Sequence, residues 1–196
     1  MREKKSHRKQ RREARIERMR ADLSLYGGRI LDSDEMRLAF GQKHHTLSTV
    51  GEHSLRVART SLALCYTLGK LHIATDISAV VTSSLCHDLG ILGRNEKYDS
   101  KKECSRQHPL DSVVVAEKLL GELPEKTTDI ISRHMWPAGR SKLPNSLEGA
   151  IVSAADKIAA VGDFVGGYSE KQPGIRGVMR EIRNQGKMSR RAEARY

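Results

Sequence analysis

The chemistry available to this chain lies in a few histidines and aspartates set among apolar residues. Asp156 sits in the middle of Ile151, Val152, Ala154, Ala155, Ile158, Ala159, Ala160 and Val161. A carboxylate buried there without compensation costs many kcal/mol, so it needs a cation. Lys157 is the next residue and on a helix points about 100° away, which leaves histidines and a metal as better partners. Asp88, directly after His87, makes the same demand at the inner end of another apolar run. His53 and His134 also fall on apolar helical faces. A single histidine in such a place is ordinarily a core residue with a hydrogen-bonded ring. Several segments that each send one or two nitrogen or oxygen donors into a shared interior are the arrangement from which bundles build metal centres. No Ser-His-Asp or Cys-His nucleophile motif competes with that reading.

Helices must position these groups. Val50, Val57, Ser61, Leu64, Cys65 and Leu68 share one face with His53 until Gly69 ends the run. Asp76 is an N-cap for a second helix whose Ile77, Val80, Val81, Ser84 and Leu85 point inward and which delivers His87 and Asp88 before Gly90. Pro109 suits the first position of a third helix presenting Leu110, Val113, Val114 and Leu120, with His108 at its mouth. Pro124 opens a fourth, on which Thr127, Ile130, Ile131 and His134 align before Trp136 and Pro137. The fifth, from about Ser146 to Phe164, is apolar nearly all round and belongs at the centre of a bundle. The fold class expected is all-α, since the long alternation of strands is absent.

Length and charge divide the chain. Its 196 residues suit one domain with extensions, and the net charge of +11 is concentrated at the ends. Residues 1–20 hold ten Lys/Arg against three Glu, residues 170–196 hold eight against three, and residues 21–169 are nearly neutral. The expected organisation is a basic tail at 1–20, a folded domain at 21–169 and a basic extension at 170–196. A uniformly basic nucleic-acid-binding fold is disfavoured, while contact of the tails with a polyanion stays open. Residues 1–20 read as a solvated tail or a projecting helix. Cys65, Cys86 and Cys104 form no CxxC pair, so neither a disulfide framework nor a zinc ribbon is suggested, and a reduced cytoplasmic setting follows. No stretch approaches 18 consecutive apolar residues, so no membrane span is expected.

The order His53, His87-Asp88, Asp156, in the contexts EHSLRVA, SSLCHDLG and VSAADKI, resembles the HD-domain superfamily of metal-dependent phosphohydrolases. His108 in QHPLDS and His134 in SRHMWP fall between the pair and the last aspartate, as in the branch with six ligands and two metals. That branch includes bacterial symmetrical diadenosine-tetraphosphate hydrolases and cyclic-dinucleotide phosphodiesterases, and RHMWP is similar to a segment of small bacterial HD hydrolases of unassigned substrate. The likeness spans roughly residues 44 to 165.

The resemblance implies that His53, His87, Asp88 and Asp156 hold one metal and that Asp88 bridges to a second held by His108 and His134. His87 and Asp88 are the catalytic pair. Four imidazoles and two carboxylates suit iron or manganese, with zinc, cobalt and nickel also compatible. The implied activity is hydrolysis of a nucleotide or other small phosphate ester or anhydride by metal-bound hydroxide, which needs no separate side-chain base. Many relatives read HDIGK where this chain has HDLGI, so Ile91 stands in place of a phosphate-positioning lysine. Lys157, Arg94 and Arg133 are candidate substitutes, each also explicable as a surface charge. No GYP signature follows the pair, which weakens cyclic-dinucleotide cleavage. His44 and His45 could line the entrance or simply occupy a loop. The alternative function is a nucleic-acid or ribosome-associated binding protein with a structural metal and basic tails. Oligomeric state is not readable.

Overall fold

In a computed structural model, which describes residues 2–45, 48–138 and 141–164, the chain is an all-helical bundle. The helices are α1 (Arg2–Leu31), α2 (Asp34–Gly41), α3 (Val50–Gly69), α4 (Ile77–Cys86), α5 (Arg94–Lys97), α6 (Lys101–Leu120), α7 (Glu125–Arg133) and α8 (Leu147–Phe164). A short antiparallel pair, β1 (Lys43–His45) and β2 (Ser48–Thr49), precedes α3, and a 3-10 turn (Leu89–Ile91) follows α4. The extension at 170–196 lies outside the described residues.

Local chemistry sets the boundaries. Thr49 and Glu52 form a reciprocal capping box at the start of α3. Asp76 caps α4 by accepting from the Ala79 amide, and its own amide donates to Glu148 Oε1 at 2.8 Å, tying α4 to α8. Ser100 caps α6. Two buried apolar clusters hold the bundle. One joins α1, α2, α3 and α4 through Leu23, Ile30, Met36, Leu55, Leu62, Val81 and Leu85. The other packs α3, α4, α7 and α8 through Val57, Val80, Ile130, Val152, Ala155 and Ala159. The donor-bearing ends of the helices meet beside these clusters.

Two sequence expectations change, and the N-terminal stretch takes the helical one of its two readings. Residues 2–31 form one continuous helix, so the basic stretch runs directly into the segment whose Leu23, Ile30 and Leu31 are buried. The third expected helix begins at Lys101 rather than Pro109, with Pro109 inside it. The side chain of Ser100 accepts from the Glu103 amide and caps this longer helix. Its buried face is His108, Pro109, Ser112 and Ala116, whereas Leu110 and Val114 are exposed. Helix α8 has an open side, since Ile158 is 46% and Val161 63% exposed, so it flanks the bundle rather than running through its centre.

The turn after α4 is held against α6 by close contact. A Cβ on Gly90 would come within 2.4 Å of the His108 carbonyl oxygen, so only glycine lets the two backbones meet. The Gly90 amide donates to Ser112 Oγ at 2.9 Å, and Lys97 Nζ donates to the Gly90 carbonyl at 2.9 Å. This clamp sets Asp88 next to His108.

Candidate metal centre

Donors from six places in the chain converge on Asp88. His44 comes from β1, His53 from α3, His87 and Asp88 from the end of α4, His108 from α6, His134 from the end of α7 and Asp156 from α8. His53, His87, Asp88, His108, His134 and Asp156 are all buried. Asp88 Oδ2 lies 3.3 Å from His44 Nε2, 3.4 Å from His87 Nε2 and 3.9 Å from His53 Nε2. Its other oxygen lies 3.3 Å from His108 Nε2 and 3.5 Å from His134 Nε2. Asp156 Oδ1 is 2.9 Å from His53 Nε2 and 3.8 Å from His87 Nε2.

The far sides of the rings show what the near sides present. The Nδ1–H groups of His87, His108 and His134 donate to the carbonyls of Ser84, Cys104 and Ile131, at 2.9, 2.7 and 2.7 Å. A carbonyl only accepts, so the proton of each neutral ring is fixed on Nδ1 and the Nε2 lone pair faces the centre. This leaves two anomalies. His87 Nε2 is buried without a hydrogen bond, and the Nε2 atoms of His108 and His134 face each other at 3.2 Å. Two lone pairs cannot share that gap unless a cation lies between or beside them.

Protonation offers a partial answer. Burial pushes the His108 ring down, but Asp88 outweighs it and raises the net value, so His108 is the ring best able to carry a second proton and donate to His134. Burial prevails at His134, which is pushed down. Burial works against ionised Asp88, yet His87 and His44, with His108 and His134, hold it well below the usual carboxylate range. Asp156 likewise stays far below that range, because His53 and His87 outweigh its burial. Both acids are thus anionic. One proton on His108 leaves His87 Nε2 unsatisfied, whereas divalent cations answer both anomalies. Three subsets have donor atoms close enough to hold an ion: His44, His53, Asp88; His53, His87, Asp156; and His87, Asp88, His134. Imidazole and carboxylate donors of this kind suit divalent transition metals.

A cavity of about 760 Å³ opens over the centre, with Asp88, His108, His134 and Asp156 in its floor. Arg94, Lys101 and Lys157 bring positive charge to its walls, beside Tyr98 and Met135. Lys157 departs from the geometric expectation. Its flexible stem turns back so that Nζ lies 2.9 Å from Asp156 Oδ2 and donates to the His134 carbonyl at 2.6 Å. Arg94 also reaches the His44 carbonyl at 3.3 Å. Arg133 is not brought to the cavity. Its guanidinium is committed to Asp129 at 2.6 Å, to Asn145 and to the Leu143 carbonyl, securing α7 to the loop before α8. His44, left open by the sequence, joins the cluster. It lies outside any helical period, so only the hairpin that turns it inward could have revealed it.

An all-α bundle with a buried histidine-aspartate centre at the floor of a cationic cavity defines a class of metal-binding helical proteins. Residues 50–161 match the family model of the HD domain, and the chain belongs to that family. No curated protein and no solved structure compared with the chain matches it. Membership implies a metal-dependent phosphohydrolase family, and the buried His/Asp groups fit divalent metal. Among the described residues no helix is long and apolar enough to cross a membrane.

Proposed function

We propose that the chain hydrolyses a nucleotide or another small phosphate ester or anhydride, with His53, His87, Asp88, His108, His134 and Asp156 as ligands to two divalent ions, iron or manganese foremost. The observation that carries this reading is the pair of anomalies at the centre: the buried, unsatisfied His87 Nε2 and the opposed His108 and His134 nitrogens. The two oxygens of Asp88 address different imidazole groups, which supports a bridging role and the six-ligand branch. When bound, such ions supply Lewis acidity and lower the pKa of water toward neutrality.

The protein's own residues do the rest. Backbone carbonyls hold three rings by their Nδ1–H groups, so the centre is oriented before any ligand arrives. Lys157 and Arg94 stand on the cavity wall as phosphate contacts and take the place of the lysine absent after HDLG. His87 and Asp88 form the catalytic pair, with Asp88 ionised to receive positive charge. Burial of the floor keeps bulk water from screening these charges. A cavity of this size accepts a nucleotide-sized molecule. The hydrolytic unit is residues 21–169, which retains the buried half of α1.

Elemental analysis of the purified protein, joined to a screen of mononucleotides, dinucleoside polyphosphates and cyclic dinucleotides with and without chelator, tests the reading. The expected result is chelator-sensitive phosphate release that Asp88→Asn abolishes. Metal-free protein that cannot be loaded, or hydrolysis indifferent to Asp88→Asn, refutes it.

A further inference from the structure

A second large cavity, about 730 Å³, lies between the first half of α1 and the C-terminal end of α3. Arg11, Arg15 and Arg18 line it from α1, and Lys70, the residue that follows α3, lines it from the other side. The arginines continue a pattern that starts outside the cavity. Arg8, Arg11, Arg15 and Arg18 recur at steps of three and four residues, which places them within about 80° of one another on the helix. Glu13 and Glu17 fall on the opposite side of α1, where they face Lys9 and Arg20. Among the described residues, no carboxylate pairs with Arg11, Arg15 or Arg18.

Packing accounts for part of this charge. Arg15 donates to the Ala63 carbonyl of α3 at 3.3 Å, and Arg18 stacks 4.4 Å over the Tyr66 ring. The side chains of Arg11 and Lys70 have no hydrogen-bond or ion-pair partner among the described residues, yet both face the same concavity. Four cations around one groove repel one another, and an anionic ligand relieves that repulsion.

We propose that this groove binds the phosphate backbone of a single-stranded nucleic acid. Each step along the arginine row rises about 5 Å, and the row from Arg8 to Arg18 extends about 15 Å. That is a linear array suited to successive phosphates, and it is longer than one nucleotide needs. Ile73, 41% exposed, adds an apolar patch to the lining beside the cations. A concave site on the side of a helix receives a strand more readily than the flat surface of a bilayer. The proposal does not depend on the hydrolytic reading, because none of these residues touches the metal centre.

The test is fluorescence anisotropy of a labelled 20-nucleotide RNA of mixed sequence with the full-length chain, titrated between 50 and 200 mM KCl. Each phosphate neutralised on a single strand contributes about −0.7 to the slope of log affinity against log salt, so Arg8, Arg11, Arg15, Arg18 and Lys70 together give a slope near −3.5. The double variant Arg11→Gln/Lys70→Gln removes two contacts that support no packing. It is expected to bring the slope up by about 1.4 and to weaken binding roughly 25-fold at 0.1 M salt, while folding by circular dichroism and any phosphate release stay as in the parent. Unchanged affinity and slope in the variant overturn the proposal and place RNA binding elsewhere on the chain. Inorganic tripolyphosphate that displaces the RNA stoichiometrically, or phosphatidylserine vesicles that bind through the groove where RNA does not, also overturns it.

Discussion

Replacing Gly90 by alanine tests how the fold positions the centre. The added carbon would stand 2.4 Å from the His108 carbonyl oxygen, 2.4 Å from the Ser112 amide nitrogen and 2.8 Å from the Asp111 carbonyl carbon. Normal contact begins about 1 Å further out, and all three obstacles are backbone atoms of α6, so no side chain can swing aside. The turn and the helix must part by roughly that amount. Such overpacking costs about 1–3 kcal/mol, which in a chain of this length lowers the melting temperature by roughly 2–12 °C. Separation also stretches the Gly90 to Ser112 hydrogen bond, now 2.9 Å, and draws His108 from its place 3.3 Å from Asp88. A displacement near 1 Å can cost about 100-fold where geometry matters. Calorimetric titration of metal-free protein with manganese, beside a thermal melt, is the assay. Gly69→Ala is the control, since nothing lies within 4 Å of a Cβ there. If Gly90→Ala melts within a degree of the parent and binds manganese as tightly, the clamp does not position the site.

Three other outcomes are expected. Gly28→Ala, in the interior of α1 with open space around the new methyl, should stabilise the fold by about 0.5–1 kcal/mol in denaturant titration, whereas neighbouring Gly27→Ala meets Leu85 at 2.5 Å and should not. Burial pushes the Cys86 thiol up to about 12, so mass spectrometry after alkylation of native protein at pH 8 should find Cys86 unmodified, with half-buried Cys104 labelled ahead of it. Burial opposes ionisation of Asp111, but hydrogen bonds from Tyr98, Gln107 and Lys97 outweigh it and hold its carboxyl below the usual range. A depressed folded-state value means that its stabilisation is present above about pH 4 and is lost as pH falls through that lower value. Melts of Asp111→Asn should therefore differ from the parent near pH 6 and converge with it under stronger acid.

Much of the fold was legible because capping residues and apolar period agree. Asp76, the run ending at Gly69 and the Trp136-Pro137 stop locate α4, α3 and the end of α7, and Asp156 stands out because apolar neighbours surround it. Pro109 misled because its favoured first-turn position competes with the Ser100 cap eight residues before the buried His108. Leu110 and Val114 are apolar and so suggest an inward face, but the surface that α6 buries most deeply carries small and polar groups packed on the Gly90 turn. Helical angle alone separated Lys157 from Asp156, but four methylenes span that angle easily. Periodicity could not place His44, whose position depends on how a three-residue strand folds back.

Asp88 offers one oxygen toward His44, His53 and His87 and the other toward His108 and His134. A carboxylate has one negative charge to divide between its two lobes. Under the proposed two-ion reading, a cation held on one side would leave a poorer donor on the other, so the two sides of this acid would fill in succession, with the later arrival the easier to lose.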